Sequence, residues 1–189
     1  MQNNLTTNII AGIYKNKKIS LPSLESTRSS KKILRESFFN TMQYDIVDQI
    51  FVEAFAGSGS MGIEALSRGA SEAVFFEKDT EAFTVLEGNI SSLAIANAQC
   101  FRGDTFVIFL NKITSLQDAI LYFDPPFSIR EGMDEIYKNT LTLIAKIKKD
   151  QAQLICIEHL STVTLPENIT HFAQYKSKKF GKSTLTYYN

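Results

Sequence analysis

Two cysteines in 189 residues, Cys100 and Cys156, with no CxxC spacing, exclude a disulfide scaffold and argue against a zinc site. Two histidines, His159 and His171, have no partner at triad or metal-ligand spacing, and no serine stands in a G-x-S-x-G frame. The longest runs without a charged residue span 14 positions, 1–14 and 88–101, short of the ~20 that a membrane-spanning helix needs. The opening MQNNLTTN lacks the basic and apolar regions of a secretory signal, so a soluble, cytoplasmic protein is expected. There is no internal repeat and no Pro/Gly-rich linker. At 44% hydrophobic residues the chain has enough apolar material for one sizeable core.

Net charge is also missing: 20 Lys and Arg stand against 20 Asp and Glu. The zero is a sum over unlike parts. Residues 1–40 carry seven basic and two acidic residues, residues 171–189 four basic and none acidic, and the 130 residues between them nine basic and eighteen acidic. Solvated termini explain basic ends as well as any function does. A fold that brings both ends to one face would instead make a footprint for a polyanion. The candidates for phosphate contact are Lys15, Lys17, Lys18, Arg28, Lys31 and Lys32 at one end and Lys176, Lys178 and Lys179 at the other.

Apolar runs rich in β-branched and aromatic residues alternate with helical spacing. Strands are expected at 50–55, 73–77, 98–101, 119–123 and 154–157, and helices at 61–68, 80–93, 105–111 and 131–149. The last thirty residues read as antiparallel strands, 29–42 as a helix before the first strand, and 8–21 as a hairpin or extended arm. This alternation implies an α/β fold with a parallel sheet covered on both faces.

Two motifs carry chemistry. Gly57-Ser58-Gly59-Ser60-Met61-Gly62 is G-x-G-x-x-G between a strand and a helix, where glycines allow a tight turn and close approach of a ligand. Glu77, 20 residues beyond Gly57 at the end of the next strand, is placed to accept both hydroxyls of a ribose. Together they point to an adenosine-containing cofactor without deciding which. Asp124-Pro125-Pro126-Phe127 closes the fourth predicted strand. The prolines stiffen the turn and leave carbonyls free to accept, Asp124 can share in holding an exocyclic amine, and Phe127 offers a stacking face. That arrangement aims an amine lone pair at an electrophilic methyl. Asp104, in a turn after the third strand, can meet an adenine amino group. Glu53, inside the first strand, needs a polar partner such as a cofactor ammonium.

Residues 53–70, EAFAGSGSMGIEALSRGA, closely resemble the cofactor loop of the RsmD family, bacterial guanine-N2 methyltransferases of small-subunit ribosomal RNA. Asp124–Phe127 resembles that family's amine motif, 35–40 its preceding helix, 9–12 with Lys17 and Lys18 its N-terminal arm, and 181–188 its last strand. The resemblance implies a class I S-adenosylmethionine-dependent methyltransferase (Rossmann-like) fold with a seven-stranded sheet, last strand antiparallel, a small N-terminal arm over 1–28 and the catalytic domain over 29–189. It implies cofactor contacts at Glu53, Phe55, Ala56, Gly57, Ser58, Gly59, Glu77, Lys78, Asp104 and Thr105, and catalysis at Asp124, Pro125, Pro126 and Phe127. The family's R-P-T-x-D-R-V-R-E is replaced here by Arg28-Ser29-Ser30-Lys31-Lys32-Ile33-Leu34-Arg35-Glu36. Ser30 stands for the threonine at the cofactor, and the added lysines shift the segment toward phosphate.

The expected activity is methylation of guanine N2 in 16S ribosomal RNA or a 30S assembly particle, with S-adenosylmethionine as cofactor, no metal and no membrane, by a monomer. DNA adenine or cytosine enzymes and protein-glutamine enzymes are the alternatives. The former commonly carry a further recognition domain, and the latter an Asn where this chain has Asp124. A nicotinamide oxidoreductase or a non-catalytic nucleotide-binding module explains the glycines and Glu77 but leaves Asp124–Phe127 without a task.

Overall fold

The computed structural model describes residues 5–23, 28–126 and 133–189. Strands β1 (Thr6–Asn8) and β2 (Lys18–Ser20) form an antiparallel hairpin, followed by helix α1 (Arg28–Thr41). Then come β3 (Ile50–Glu53), α2 (Ser60–Ser67), β4 (Glu72–Glu77), α3 (Thr80–Ser92), β5 (Ala98–Arg102), α4 (Thr105–Lys112), β6 (Ala119–Phe123), α5 (Met133–Ile144) and β7 (Ala152–Leu160). Strands β8 (Asn168–Ile169), β9 (Phe172–Phe180) and β10 (Ser183–Tyr188) complete the chain.

The main sheet runs β5-β4-β3-β6-β7-β10-β9-β8. The pairs from β5 to β7 are parallel, and β10 lies antiparallel between β7 and β9. The expected seven strands with an antiparallel last strand are therefore present, and the two-residue β8 adds an eighth at the edge. The chain leaves β3 toward β4 and β5, then returns to its other side as β6. The switch point, where such sheets bind ligands, lies between the carboxyl ends of β3 and β6.

Strand alternation sorts side chains into two cores. Phe51, Phe75, Tyr122 and Tyr187 face the hairpin, α1, α2 and α3, while Phe76, Leu121, Phe123 and Ile155 face α4 and α5. Most boundaries shift by one or two residues, and two differ by more. Helix α5 ends at Ile144, five residues early, where the backbone tightens into i→i−3 turns from the Lys146 N–H to the Leu143 carbonyl and from the Ile147 N–H to the Ile144 carbonyl. Lys146, Lys148 and Lys149 therefore follow the helix instead of closing it. Strand β7 extends to Leu160, since β10 pairs along its outer edge as far as Ser183 opposite Leu160.

The hairpin is tied to the sheet domain through Glu64, a fully buried carboxylate on α2. It accepts the N–H groups of Ile10 (2.7 Å) and Ala11 (3.0 Å) and the Arg68 Nε–H (2.8 Å), and Arg35 of α1 lies 3.7 Å away. Arg35, itself buried, donates to the Asn8 carbonyl at 2.6 Å. Ile9 and Ile19 of the hairpin are buried in the same core. Removing one partner of a buried ionic cluster strands the others, so Glu64→Ala is expected to cost about 3–5 kcal/mol. Urea unfolding checks this; a midpoint equal to wild type would show that water replaces Glu64 without loss.

Candidate active site

The glycine turn is held from two sides by strand-end acids. Glu77, closing β4, accepts the Gly57 N–H at 2.7 Å and the Asp79 N–H at 2.6 Å. Glu53, closing β3 and only 4% exposed, accepts the Gly62 N–H at 2.8 Å and the Met61 N–H at 3.4 Å. Its expected polar partner thus includes the first turn of α2. Gly59 caps that helix in the left-handed region, φ 77°. At Gly62 a Cβ would stand 2.3 Å from the Phe75 ring, so helix and sheet pack this closely only through glycine.

A cavity of about 360 Å³ opens at the carboxyl ends of β3, β4 and β6. Of the expected cofactor residues, Glu53, Phe55, Ala56, Gly57, Glu77 and Lys78 line it, together with Asp104 and Thr105. Asp104 caps α4 through the Phe106 N–H (3.0 Å) and pairs with Lys78 at 2.7 Å; the hydrogen bond from Lys78 holds its carboxyl below the usual range. Ser58 and Gly59 shape the loop from behind: the Ser58 carbonyl accepts from Asn89, which also bonds both backbone groups of Ser20 in the hairpin. Ser30 lies in the first turn of α1.

Asp124 and Pro126 line the same cavity, and Pro125 is buried beneath them. Phe127 lies outside the described residues. Sequence reasoning missed three groups around Asp124. Lys31, expected at a phosphate, pairs with Asp124 at 2.9 Å. Tyr122, buried two residues before Asp124, donates its hydroxyl to Glu158 at 2.8 Å. Glu158, 3% exposed, lines the cavity beside them. Burial, and then the nearby Asp124 charge, push its carboxyl up to about 7 against the opposing pull of Lys31. The acid interrupting the apolar run of residues 154–160 was a signal of the same kind as Glu53.

The other basic candidates are dispersed. Lys178 donates to Ser37 (3.0 Å) and Lys176 to Thr41 (3.1 Å), so the β9 lysines do meet α1. Lys179 alternates to the opposite face of β9. Lys15, Lys17, Lys18 and Lys32 are exposed, and Arg28 begins α1. His159 is buried and bonded to Thr186 (2.8 Å), a structural role as expected, and His171 is exposed. Among the described residues there is no metal-ligand cluster, and no helix is long and apolar enough to cross a membrane.

This geometry discriminates between cofactors. A dinucleotide pyrophosphate sits on the N-terminus of the glycine-loop helix. Here the Glu53 carboxylate already occupies those amides, and a second anion would be repelled. An acid-lined cavity suits a nucleoside that carries positive charge.

The family described as Conserved hypothetical protein 95 matches residues 7–189. The chain belongs to this family. The resemblance drawn from the glycine loop is borne out by a relative from Buchnera aphidicola subsp. Acyrthosiphon pisum, named ribosomal RNA small subunit methyltransferase D. It is 32% identical over 173 residues, 90% of this chain and 86% of that one. Among solved structures, yhhF of Escherichia coli matches with a TM-score of 0.78 at 26% identity, covering 97% of both chains. The Thermus thermophilus 16S rRNA N2 G1207 methyltransferase, solved with AdoMet and guanosine, matches with a TM-score of 0.72 over 99% of this chain and 50% of that one. At 14% identity that likeness speaks for the fold alone. The fold of this family member is that of a class I methyltransferase.

The Glu158 environment makes stability depend on pH. Below about 4.5 the group is protonated whether the chain is folded or not. From there to about 7 the unfolded chain has released the proton while the folded one keeps it, so rising pH erodes stability; above about 7 both are ionised and the loss is complete. Glu158→Gln lacks this slope. Its melting temperature relative to wild type is expected to climb across that interval and then level off. A constant difference would mean that Glu158 titrates normally.

Proposed function

We propose that this protein transfers a methyl group from S-adenosylmethionine to the exocyclic N2 of a guanine in small-subunit ribosomal RNA, acting as a monomer in the cytoplasm. The observation that carries the reading is Asp124 and the glycine turn facing one acid-lined cavity across the switch point. The names of the relatives support the substrate class. The cofactor, when bound, supplies an electrophilic methyl on a positively charged sulfur.

The chain's own residues do the rest. Glu77, with both oxygens oriented by backbone N–H groups, keeps lone pairs for ribose hydroxyls. Glu53 would offset positive charge on the bound cofactor, and Asp104 would receive its adenine amino group. Phe55 and Ala56 wall the cavity, with Thr105, bonded to the Ala54 carbonyl, beneath. Asp124 accepts one hydrogen of the target amine, and Pro125, Pro126 and Phe127 fix its turn and stack the unstacked base. With the cofactor bound, Asp124 would hold the amine nitrogen in line with the methyl and would accept the one proton that the nitrogen must lose on taking up the methyl group. Much of the rate comes from this alignment. Exposed lysines of the hairpin, α1 and β9 hold phosphates.

Deleting the gene and mapping ribosomal RNA by mass spectrometry is expected to show one guanine-N2 methylation lost, and purified protein is expected to restore it. An unchanged map overturns the reading. Asp124→Ala is expected to lower transfer by at least about a hundredfold, within the range ascribed to a positioned acid–base group. S-adenosylmethionine affinity by calorimetry should stay near wild type. Full activity in that variant would remove Asp124 from the reaction.

A further inference from the structure

Asp124 alone asks only for an amine hydrogen, which guanine, adenine and cytosine all provide. Beside it stands a second acid. In the parallel register of β6 and β7, Tyr122 lies opposite Cys156 and Phe123 opposite Ile157, so the next pair is Asp124 and Glu158. Neighbouring strands are about 4.8 Å apart, and register partners project to the same face. Both carboxylates line the cavity. Glu158 is immobilised: one oxygen accepts the buried Tyr122 hydroxyl at 2.8 Å, and Ser183 of β10 also bonds the carboxyl. A carboxylate offers about four acceptor positions, so acceptors remain for a ligand.

Once Lys31 has moved off Asp124, the two carboxylates offer a pair of adjacent acceptors, and such a pair is a template. Guanine presents two neighbouring donors on its Watson–Crick edge, the N2 amine and N1–H. Adenine and cytosine present an amine beside a ring-nitrogen lone pair. We propose that Glu158 is the residue that selects guanine, accepting its N1–H while Asp124 accepts the N2 amine, with Tyr122 as the positioning residue. The inference rests on the reading of the target as guanine N2. An adenine or cytosine in the same pose would aim a lone pair at a carboxylate, and the unmet group would cost more than a weak contact gains. Lys31, which bridges to Asp124 at 2.9 Å, fills part of this space with donors until the base brings its own.

The test uses ribosomal RNA ligated around a synthetic segment carrying either guanine or 2,6-diaminopurine at the mapped position. The analogue keeps the 2-amino group but has a lone pair at N1. For wild type, kcat/KM is expected to favour guanine by at least about a hundredfold, as sites built on buried hydrogen bonds do. Glu158→Gln, whose amide can donate to that lone pair, is expected to lower this ratio tenfold or more with unchanged S-adenosylmethionine affinity. A ratio within twofold of wild type overturns the proposal, whatever happens to kcat. If Glu158→Gln is unfolded by circular dichroism, or inert on both RNAs, Tyr122→Phe decides: a lowered ratio supports the proposal and an unchanged one overturns it. A wild-type protein that methylates neither RNA overturns the functional reading, and the proposal with it; a failure confined to the ratio leaves that reading standing.

Discussion

Glu53 and Glu77 pin the glycine turn by its own backbone, and the rest of the site is arranged around that fact. A turn of this composition has little side-chain packing to hold it, and glycines are costly to order. Two carboxylates, fixed at the ends of adjacent parallel strands, accept N–H groups on both sides of it. The turn is therefore rigid before any ligand arrives. The same bonds set the sign of the ligand. The positive end of α2 is already answered by Glu53, so the helix does not attract phosphate. A feature that usually reads as a phosphate cradle becomes the floor of a site for a cation-bearing nucleoside.

Charge placement refines what a zero total means. The acidic middle of the chain converges at the strand ends, with Glu53, Glu77, Asp104, Asp124 and Glu158 about one cavity. The basic ends are not all available to RNA. Arg35 is spent inside the protein, against Glu64 and the Asn8 carbonyl, where it ties α1 to the hairpin. Lys31 is spent on Asp124. Lys176 and Lys178 keep their charge near α1 while bonding Thr41 and Ser37, which leaves a smaller basic face than the count of lysines implies. Such a face gives modest attraction for bulk polyanion and leaves more of the recognition to the shape and chemistry of the target.

What was legible in the sequence was local. A glycine turn, the acid 20 residues on and a proline-stiffened strand end each announce themselves within a few residues, and the strand–helix alternation follows from period alone. What was not legible depends on pairing across the fold. Glu158 matters because β7 lies in register beside β6, a fact no window of sequence contains. Tyr122 reads as one more apolar strand residue until its hydroxyl is seen to reach across to β7. Asn89 reads as an ordinary helix polar residue, yet it joins Ser20 of the hairpin to Ser58 of the glycine loop. The early end of α5 was hidden because its apolar period continues past Ile144, while the backbone there tightens into i→i−3 turns.

The amine site is best understood as two carboxyl groups held side by side at a cost. Asp124 and Glu158 stand side by side with Tyr122 buried against them, a placement that raises the energy of ionising Glu158. In the protein without substrate the cost is met in two ways: Lys31 bridges to Asp124, and the Tyr122 hydroxyl bonds Glu158. Lys31 is 43% exposed and belongs to α1, so water compensates its ammonium readily when it lets go. Asp124 and Glu158 are far less exposed and have no such recourse. A base that brings donors to both carboxylates therefore replaces Lys31 at little expense, whereas a base that brings one donor and one lone pair leaves the repulsion in place. The site spends its electrostatic strain on choosing what enters, and the ion pair with Lys31 holds that strain in check until the choice is made.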